Sequence, residues 1–275
     1  MDNSSFVKKI SSGVIKKLQS IFKNPYREVN LNWFRLKYYK HLPAGTIRKH
    51  NLFNHPIYFS NPAELIHAFD EIFVDEIYKQ QLSNQPYIID CGANIGLSII
   101  YMKQHYPDAN IVAFEPDEKN FNLLSKNIQS FNYNNVILRQ EAVWVEDTTL
   151  QFSNEGSMSS KIEFNNNKNV TPVKATRLYN LLNKEIDFLK IDIEGAEFAV
   201  LNDIADKLIL VKNLFIEYHG SFDQNIELSK LIVLITTEGF HFYIKEAASI
   251  YKTPFYRSKN PLIDYDVQLN IFCFR

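Results

Sequence analysis

From Tyr87 to the C-terminus, short apolar runs alternate with helical patterns, and this alternation limits the fold more than any other feature. YIID (87–90), NIVAFEP (110–116), NVILRQEAV (135–143), FLKID (188–192), LFIEY (214–218), FHFYIK (240–245) and VQLNIFCF (267–274) read as seven strands. Leu97–His105, Glu118–Ser130, Ala196–Leu201 and Leu228–Thr237 carry helical periodicity between them. Strands separated by helices build a mostly parallel α/β sheet covered on both faces. The last two runs have no helical pattern between them and suit antiparallel neighbours. Thr149–Phe152 and Lys161–Phe164 read as shorter strand pieces. The polar stretch Glu155–Pro172 reads as a surface loop able to cover a bound molecule.

Residues 1–86 have a different texture, and the expectation is a helical N-terminal extension on a domain spanning 87–275. A helix is expected over Pro62–Lys79, started by an N-cap just before the proline of Ser60-Asn-Pro-Ala. Residues 1–50 hold eleven Lys/Arg against two acids, a charge of +9, so a net charge of −1 leaves −10 on the remainder. Within this basic arm, residues 5–23 plot as an amphipathic helix with lysines opposite an apolar face. Such a segment suits peripheral contact with an anionic membrane, docking on its own domain, or a homo-oligomer. No run approaches the ~18 uninterrupted apolar residues of a membrane span, and no signal-peptide pattern opens the chain. Two cysteines, Cys91 and Cys273, make no disulfide framework and no metal spacing. The expected setting is cytoplasmic, free or at the inner face of the membrane.

The first strand ends in Asp90-Cys-Gly-Ala-Asn-Ile-Gly, where an open α/β sheet binds its ligands. Gly92 permits a turn that a Cβ would obstruct, Gly96 lets the following helix begin close to the sheet, and Asn94 tolerates a left-handed backbone. A dinucleotide fingerprint would need glycine at 94 and at 97, where the chain has Asn and Leu. An acid beside pyrophosphate is also unfavourable, because like charges ~4 Å apart near a protein surface cost roughly 4 kcal/mol. Asp90 instead suits a cofactor bearing an ammonium and a sulfonium, as S-adenosylmethionine does. Glu115 ends the second strand where an acid can accept both ribose hydroxyls of an adenosine, a feature shared by nicotinamide cofactors.

Taken in order, IIDCGANIGLS, AFEPDEKNFNLL, LKIDIEGAE and FIEYH resemble the FkbM-type methyltransferases. The resemblance runs from about Phe59 to Phe274 and includes NPAELIHAFDEIFVDEIY. It implies a class I, Rossmann-like methyltransferase fold and an S-adenosylmethionine-dependent O-methyltransferase. The implied acceptor is a hydroxyl on a sugar, glycan or other polyhydroxylated metabolite. Carried onto this chain, the cofactor loop falls on Asp90, Gly92, Asn94 and Gly96, the ribose acid on Glu115, and an adjacent Asn on Asn120. Residues flanking the adenine would be Glu141 and Ala142.

Lys190-Ile-Asp-Ile-Glu-Gly-Ala-Glu holds three acids at the fourth strand's end. Asp192 would face both cofactor and methyl-transfer space, Glu194 would lie in the turn, and Glu197 would favour the helix dipole. Strand alternation puts Glu217 and His219 on one face. An attacking hydroxyl must lose a proton; His219 is the expected base, with Asp192 or Glu194 orienting the acceptor. Asp192, Glu217 and His219 could alternatively hold a divalent cation, which is not favoured. A nucleotide-sugar or alcohol dehydrogenase and a non-catalytic binding module are the rival readings. Nucleic acid is not expected, because the catalytic domain is acidic.

Overall fold

The computed structural model describes residues 24–153, 170–257 and 265–275. The amphipathic segment 5–23, the strand piece Lys161–Phe164 and most of the loop Glu155–Pro172 lie outside the described residues. Two compact units, Met1–Lys79 and Gln80–Arg275, divide the chain, so the boundary falls before residue 86.

The first unit is not purely helical. A helix, Trp33–Lys40, is followed by a hairpin of β1 (Arg48–Leu52) and β2 (His55–Phe59), then a helix at Pro62–Phe69 that runs into one π turn, Asp70–Val74. That helix starts as expected: the Asn61 side chain accepts from the Ala63 N–H with Pro62 in the first turn. It stops short of Lys79, with Glu76 at φ 49°. His50 is buried where Tyr39 Oη meets Nδ1 at 3.1 Å and Val29 O meets Nε2 at 2.6 Å, over the apolar contacts of Phe59 and Phe69.

The second unit is built on a seven-stranded sheet in the order β11-β12-β10-β9-β3-β4-β5. These strands are β3 (Tyr87–Cys91), β4 (Asn110–Phe114), β5 (Val136–Arg139), β9 (Ile186–Ile191), β10 (Val211–Gly220), β11 (His241–Glu246) and β12 (Val267–Phe274). Pairing is parallel from β5 across to β10. β12 runs antiparallel to both β10 and β11, bearing out the expected pairing of the last two strands. The sheet is thus mostly parallel with one reversed strand, the arrangement that the resemblance implies.

The expected third strand, NVILRQEAV, is two strands in two sheets. β5 stops at Arg139, and β6 (Ala142–Trp144) joins a small sheet in the order β6-β8-β7, with β7 at Thr148–Ser153 and β8 at Val170–Arg177. The helix Leu97–His105 is buried through Leu97–Lys103. Its Lys103, 2% exposed, donates through Nζ to the carbonyls of Pro107, Ala109 and Asn134 at 3.0, 2.6 and 2.7 Å. A buried ammonium is tolerable only with such a full set of acceptors. Both cysteines are free and buried. Among the described residues no helix is long and apolar enough to cross a membrane.

Strand order reverses between β3 and β9, so the loops leaving these neighbours open a crevice at their carboxyl ends. Gly92, Asn94 and Gly96 lie on the first of these loops and Asp192 and Glu194 on the second, while Asp90 is near the end of β3 and Glu197 opens the helix Glu197–Asp203.

Candidate active site

The loop after β3 is stitched to the loop after β9. The Asp192 N–H donates to Cys91 O at 3.0 Å, and Lys190 Nζ donates to Gly92 O at 2.6 Å and Asp192 Oδ2 at 3.0 Å. The same ammonium stands 3.3 Å from Asp90 Oδ1, while Ser98 donates its hydroxyl to Asp90 Oδ2 at 2.5 Å. Asp90 is therefore a buried acid sharing one lysine with Asp192, not an open charge at the strand tip. Lys190 carried no role in the sequence reading, because an ammonium inside a central strand ordinarily has no place there.

Gly92 has φ 90°, and a Cβ built on it would lie 1.9 Å from the Asp192 carbonyl oxygen. What crowds Gly92 is the chain's own second loop, not a ligand path. Gly96 has φ 91°, and its missing Cβ makes room for Leu124 and Ile128 of the helix Glu118–Phe131. Asn94 adopts the left-handed backbone, φ 47°, and its N–H donates to Glu115 Oε2 at 2.8 Å. Glu115 Oε1 accepts the Asp117 N–H at 3.0 Å. Each Glu115 oxygen thus keeps a lone pair for a further donor. Burial pushes the Glu115 carboxyl up to about 8, against the two backbone hydrogen bonds. Asn120 contributes its N–H to the Asp117 cap at 2.8 Å.

The two residues expected beside an adenine are otherwise engaged. Arg139 at 2.7 Å, Lys174 at 2.8 Å and the Thr176 hydroxyl surround the Glu141 carboxylate. Burial opposes ionisation, yet these partners hold Glu141 below the usual carboxylate range. Ala142 is buried against Ala175 in the small sheet, so its methyl has no open face to offer. The cause is the break in the third strand, which turns Ala142 into a different sheet.

Asp192, Glu194 and His219 converge, with one potential ligand atom from each within 4.8 Å of the others. Glu217 joins from β10, its Oε1 lying 3.7 Å from His219 Nε2 and accepting from Gln268 Nε2 at 2.8 Å. His219 Nδ1 meets Glu197 Oε1 at 3.1 Å, and Nε2 lies 3.1 Å from Gln268 and 3.6 Å from Glu194 Oε2. Burial alone would lower the pKa of His219, but the Glu197 hydrogen bond and the charges of Glu194, Glu197 and Glu217 push it up to about 10. Facing three carboxylates, His219 favours its protonated form, which weighs against the expected role as base.

Glu194 has the complementary state. Burial pushes its carboxyl up to about 7, with Asp192 and Glu197 adding to the rise and His219 opposing it. Its backbone is left-handed, φ 57°, unusual for a residue with a Cβ and sustained only when the surroundings over-determine it. They do: Tyr265 Oη donates to Glu194 O at 2.9 Å, and the Glu197 carboxylate accepts from Ile193 N–H and Gly195 N–H. Glu197, expected as a helix-start charge, is a fully buried clamp on this turn and on His219. Tyr265 also packs its ring 4.8 Å from that of His219. Neither Tyr265 nor Gln268 had a signal in the sequence.

These charges decide which ligand fits. Asp90 and Asp192 share one ammonium, leaving one net negative charge, and Asp90 Oδ1 accepts no hydrogen bond. A ligand with sulfonium, ammonium and carboxylate groups carries one net positive charge and matches; a pyrophosphate does not. The ribose of such a ligand would donate to Glu115, favouring its ionised form. Binding then releases a proton below the Glu115 pKa of about 8. Affinity for S-adenosylhomocysteine should therefore rise about fivefold from pH 7 to pH 8 and about tenfold in all, levelling off above about pH 9. Calorimetry in buffers of different ionisation enthalpy measures the released proton directly.

Residues 90–242, more than half of the chain, match the family model described as the methyltransferase FkbM domain. Methyltransferase 1 of Beauveria bassiana (strain ARSEF 2860) is 28% identical over 215 residues, covering 66% of this chain and 84% of that protein. Methyltransferase sdnD of Sordaria araneosa is 28% identical over 191 residues, covering 54% and 73%. The crystal structure of methyltransferase FkbM from Methylobacillus flagellatus KT superposes with a TM-score of 0.47 at 14% identity. That superposition covers 70% of this chain but only 44% of the other.

Proposed function

Because the chain belongs to the FkbM methyltransferase family, we propose that it moves a methyl group from S-adenosylmethionine to a hydroxyl oxygen and that Glu194 accepts the hydroxyl proton. The acceptor in this reading is a sugar, glycan or other polyhydroxylated metabolite. The observation that carries it is the convergence of Asp192, Glu194 and His219 within 4.8 Å, where burial raises the Glu194 carboxyl and the surrounding carboxylates raise His219.

When bound, S-adenosylmethionine supplies an electrophilic methyl group. Asp90, Asp192 and the backbone of residues 92–96 would hold it, with Glu115 taking its ribose. The chain's own residues then handle the acceptor. Glu194, with a pKa close to neutral, is a carboxylate in a large fraction of molecules and still basic enough to receive the proton as the oxygen attacks. His219 keeps its proton throughout; its charge favours the ionised, reactive form of Glu194. Glu197 and Tyr265 fix the turn, so that little orientational freedom remains to be lost on reaction. Glu217, whose Oε1 also accepts from Gln268, would accept from a further acceptor hydroxyl.

The test combines binding and product analysis. Calorimetry should show binding of S-adenosylmethionine and S-adenosylhomocysteine but not of nicotinamide dinucleotides. Incubation with isotopically labelled S-adenosylmethionine and a panel of sugars and hydroxylated metabolites should yield methyl ethers by mass spectrometry. Binding of the dinucleotide instead would sink the proposal, as would methylation at nitrogen or carbon. Activity abolished by chelator and restored by a divalent ion would move proton removal from Glu194 to a metal.

A further inference from the structure

The helix Trp33–Lys40 turns its aromatic residues outward. Tyr39 is its buried residue and Leu36 its half-buried one. At 100° per residue, the opposite face carries Trp33, Lys37, Phe34 and Tyr38 in one arc. Arg35 and Lys40 stand on the two flanks of that arc. Trp33, Phe34 and Tyr38 are 62%, 76% and 61% exposed. The Trp33 and Phe34 rings meet edge to face with centroids 5.1 Å apart, and Lys37 Nζ lies 5.3 Å from the Trp33 centroid. Solvent-exposed aromatic residues grouped on so short a helix mark an interaction surface rather than a folding need.

We propose that this helix face docks on an anionic lipid bilayer. Charge selects that occupant. Residues 24–61 contain six Lys/Arg (27, 35, 37, 40, 48 and 49) against one acid, Glu28, a net of five positive charges. The helix itself holds Arg35, Lys37 and Lys40 and no acid, so two copies of this face repel one another, which argues against a second copy. Trp and Tyr favour the boundary between headgroups and acyl chains, where a ring is half apolar and half wet. Lys40 flanks the aromatic arc and can reach headgroups while its stem covers the helix side, whereas Arg35 on the other flank donates from Nη1 to Asn30 O at 3.0 Å. The aromatic rings stand on the outward face of the helix, each more than 60% exposed. Single-stranded nucleic acid is instead held in a groove that tracks its backbone. In sequence, residues 5–23 precede this helix with the same mixture of lysines and apolar residues.

The experiment uses the full chain with vesicles of phosphatidylcholine alone or with added phosphatidylglycerol. Cosedimentation is expected with the anionic vesicles only, weakening as salt rises. Trp33→Ser with Phe34→Ser and Tyr38→Ser should lower partitioning by at least about tenfold, with thermal unfolding and S-adenosylhomocysteine binding unchanged. Lys37→Glu with Lys40→Glu, a change confined to exposed side chains, should lower it as well and serves if the triple variant misfolds. The tryptophan emission of the wild type should shift to shorter wavelength on anionic vesicles, and Trp33→Phe should abolish the shift. Several outcomes would overturn the proposal: undiminished partitioning of both variants, no partitioning of the wild type, or binding of oligonucleotides in place of vesicles. A concentration-dependent emission shift without lipid would do so too, assigning the face to self-association.

Discussion

Glu194→Gln should lower kcat by roughly 10²- to 10⁴-fold, the range for loss of a positioned general base, while S-adenosylhomocysteine binds as before. The amide keeps the size of the side chain and its turn but cannot receive a proton. In the wild type, kcat/KM should rise with pH through about 7 as the Glu194 carboxyl ionises, and hold until His219 deprotonates near 10. The rising limb should be absent from the residual activity of the variant. The sign also matters for stability. His219 has a raised folded pKa, so its stabilising contribution is complete below its ordinary value and is lost as pH climbs through about 10. The cluster is thus intact across the neutral range. A variant with wild-type turnover and an unchanged pH limb would remove Glu194 from proton transfer.

The second large effect is on folding. Gly92→Ala should destabilise the protein by about 3 kcal/mol or more, combining a left-handed backbone with steric overlap. This corresponds to a fall in Tm of roughly 10 °C. The methyl would be forced to within 1.9 Å of the Asp192 carbonyl oxygen, which belongs to backbone and cannot swing aside. Gly96→Ala shares the positive φ but meets the flexible ends of Leu124 and Ile128, at 2.7 and 3.3 Å. It should cost less. Differential scanning calorimetry ranks the two. A Gly92→Ala protein with unchanged Tm and abolished cofactor binding would show that Gly92 faces the ligand rather than the second loop.

The large sheet was legible because each strand has its own apolar run and each helix its own period. The break after Arg139 was not. In NVILRQEAV the apolar pieces Val136–Leu138 and Ala142–Val143 are separated only by Arg-Gln-Glu, a gap too short to announce a boundary, and the tertiary path sends Ala142 to a second sheet. The hairpin in residues 48–59 was hidden for a related reason. Its two-residue turn places Phe53 and Asn54 at φ 48° and 68°, where an Asn-Gly pair would have announced it, and Pro56 discourages a strand assignment. In the site, the motif spacing found the acids but not their protonation. How many carboxylates surround one imidazole, and whether water reaches it, depends on β10, β12 and the 192–197 turn arriving together. No local pattern records that.

Lys190 has a consequence for how two ligands would sense each other. Its single ammonium lies between Asp90 under the first loop and Asp192 at the mouth of the second, and it also grips the Gly92 carbonyl. A cation arriving beside Asp192 competes with the ammonium for that carboxylate and drives it toward Asp90. The first loop then gains what the second gives up. Occupancy on one side of the crevice is thereby written into the affinity of the other, and thermodynamic reciprocity makes the influence equal in both directions.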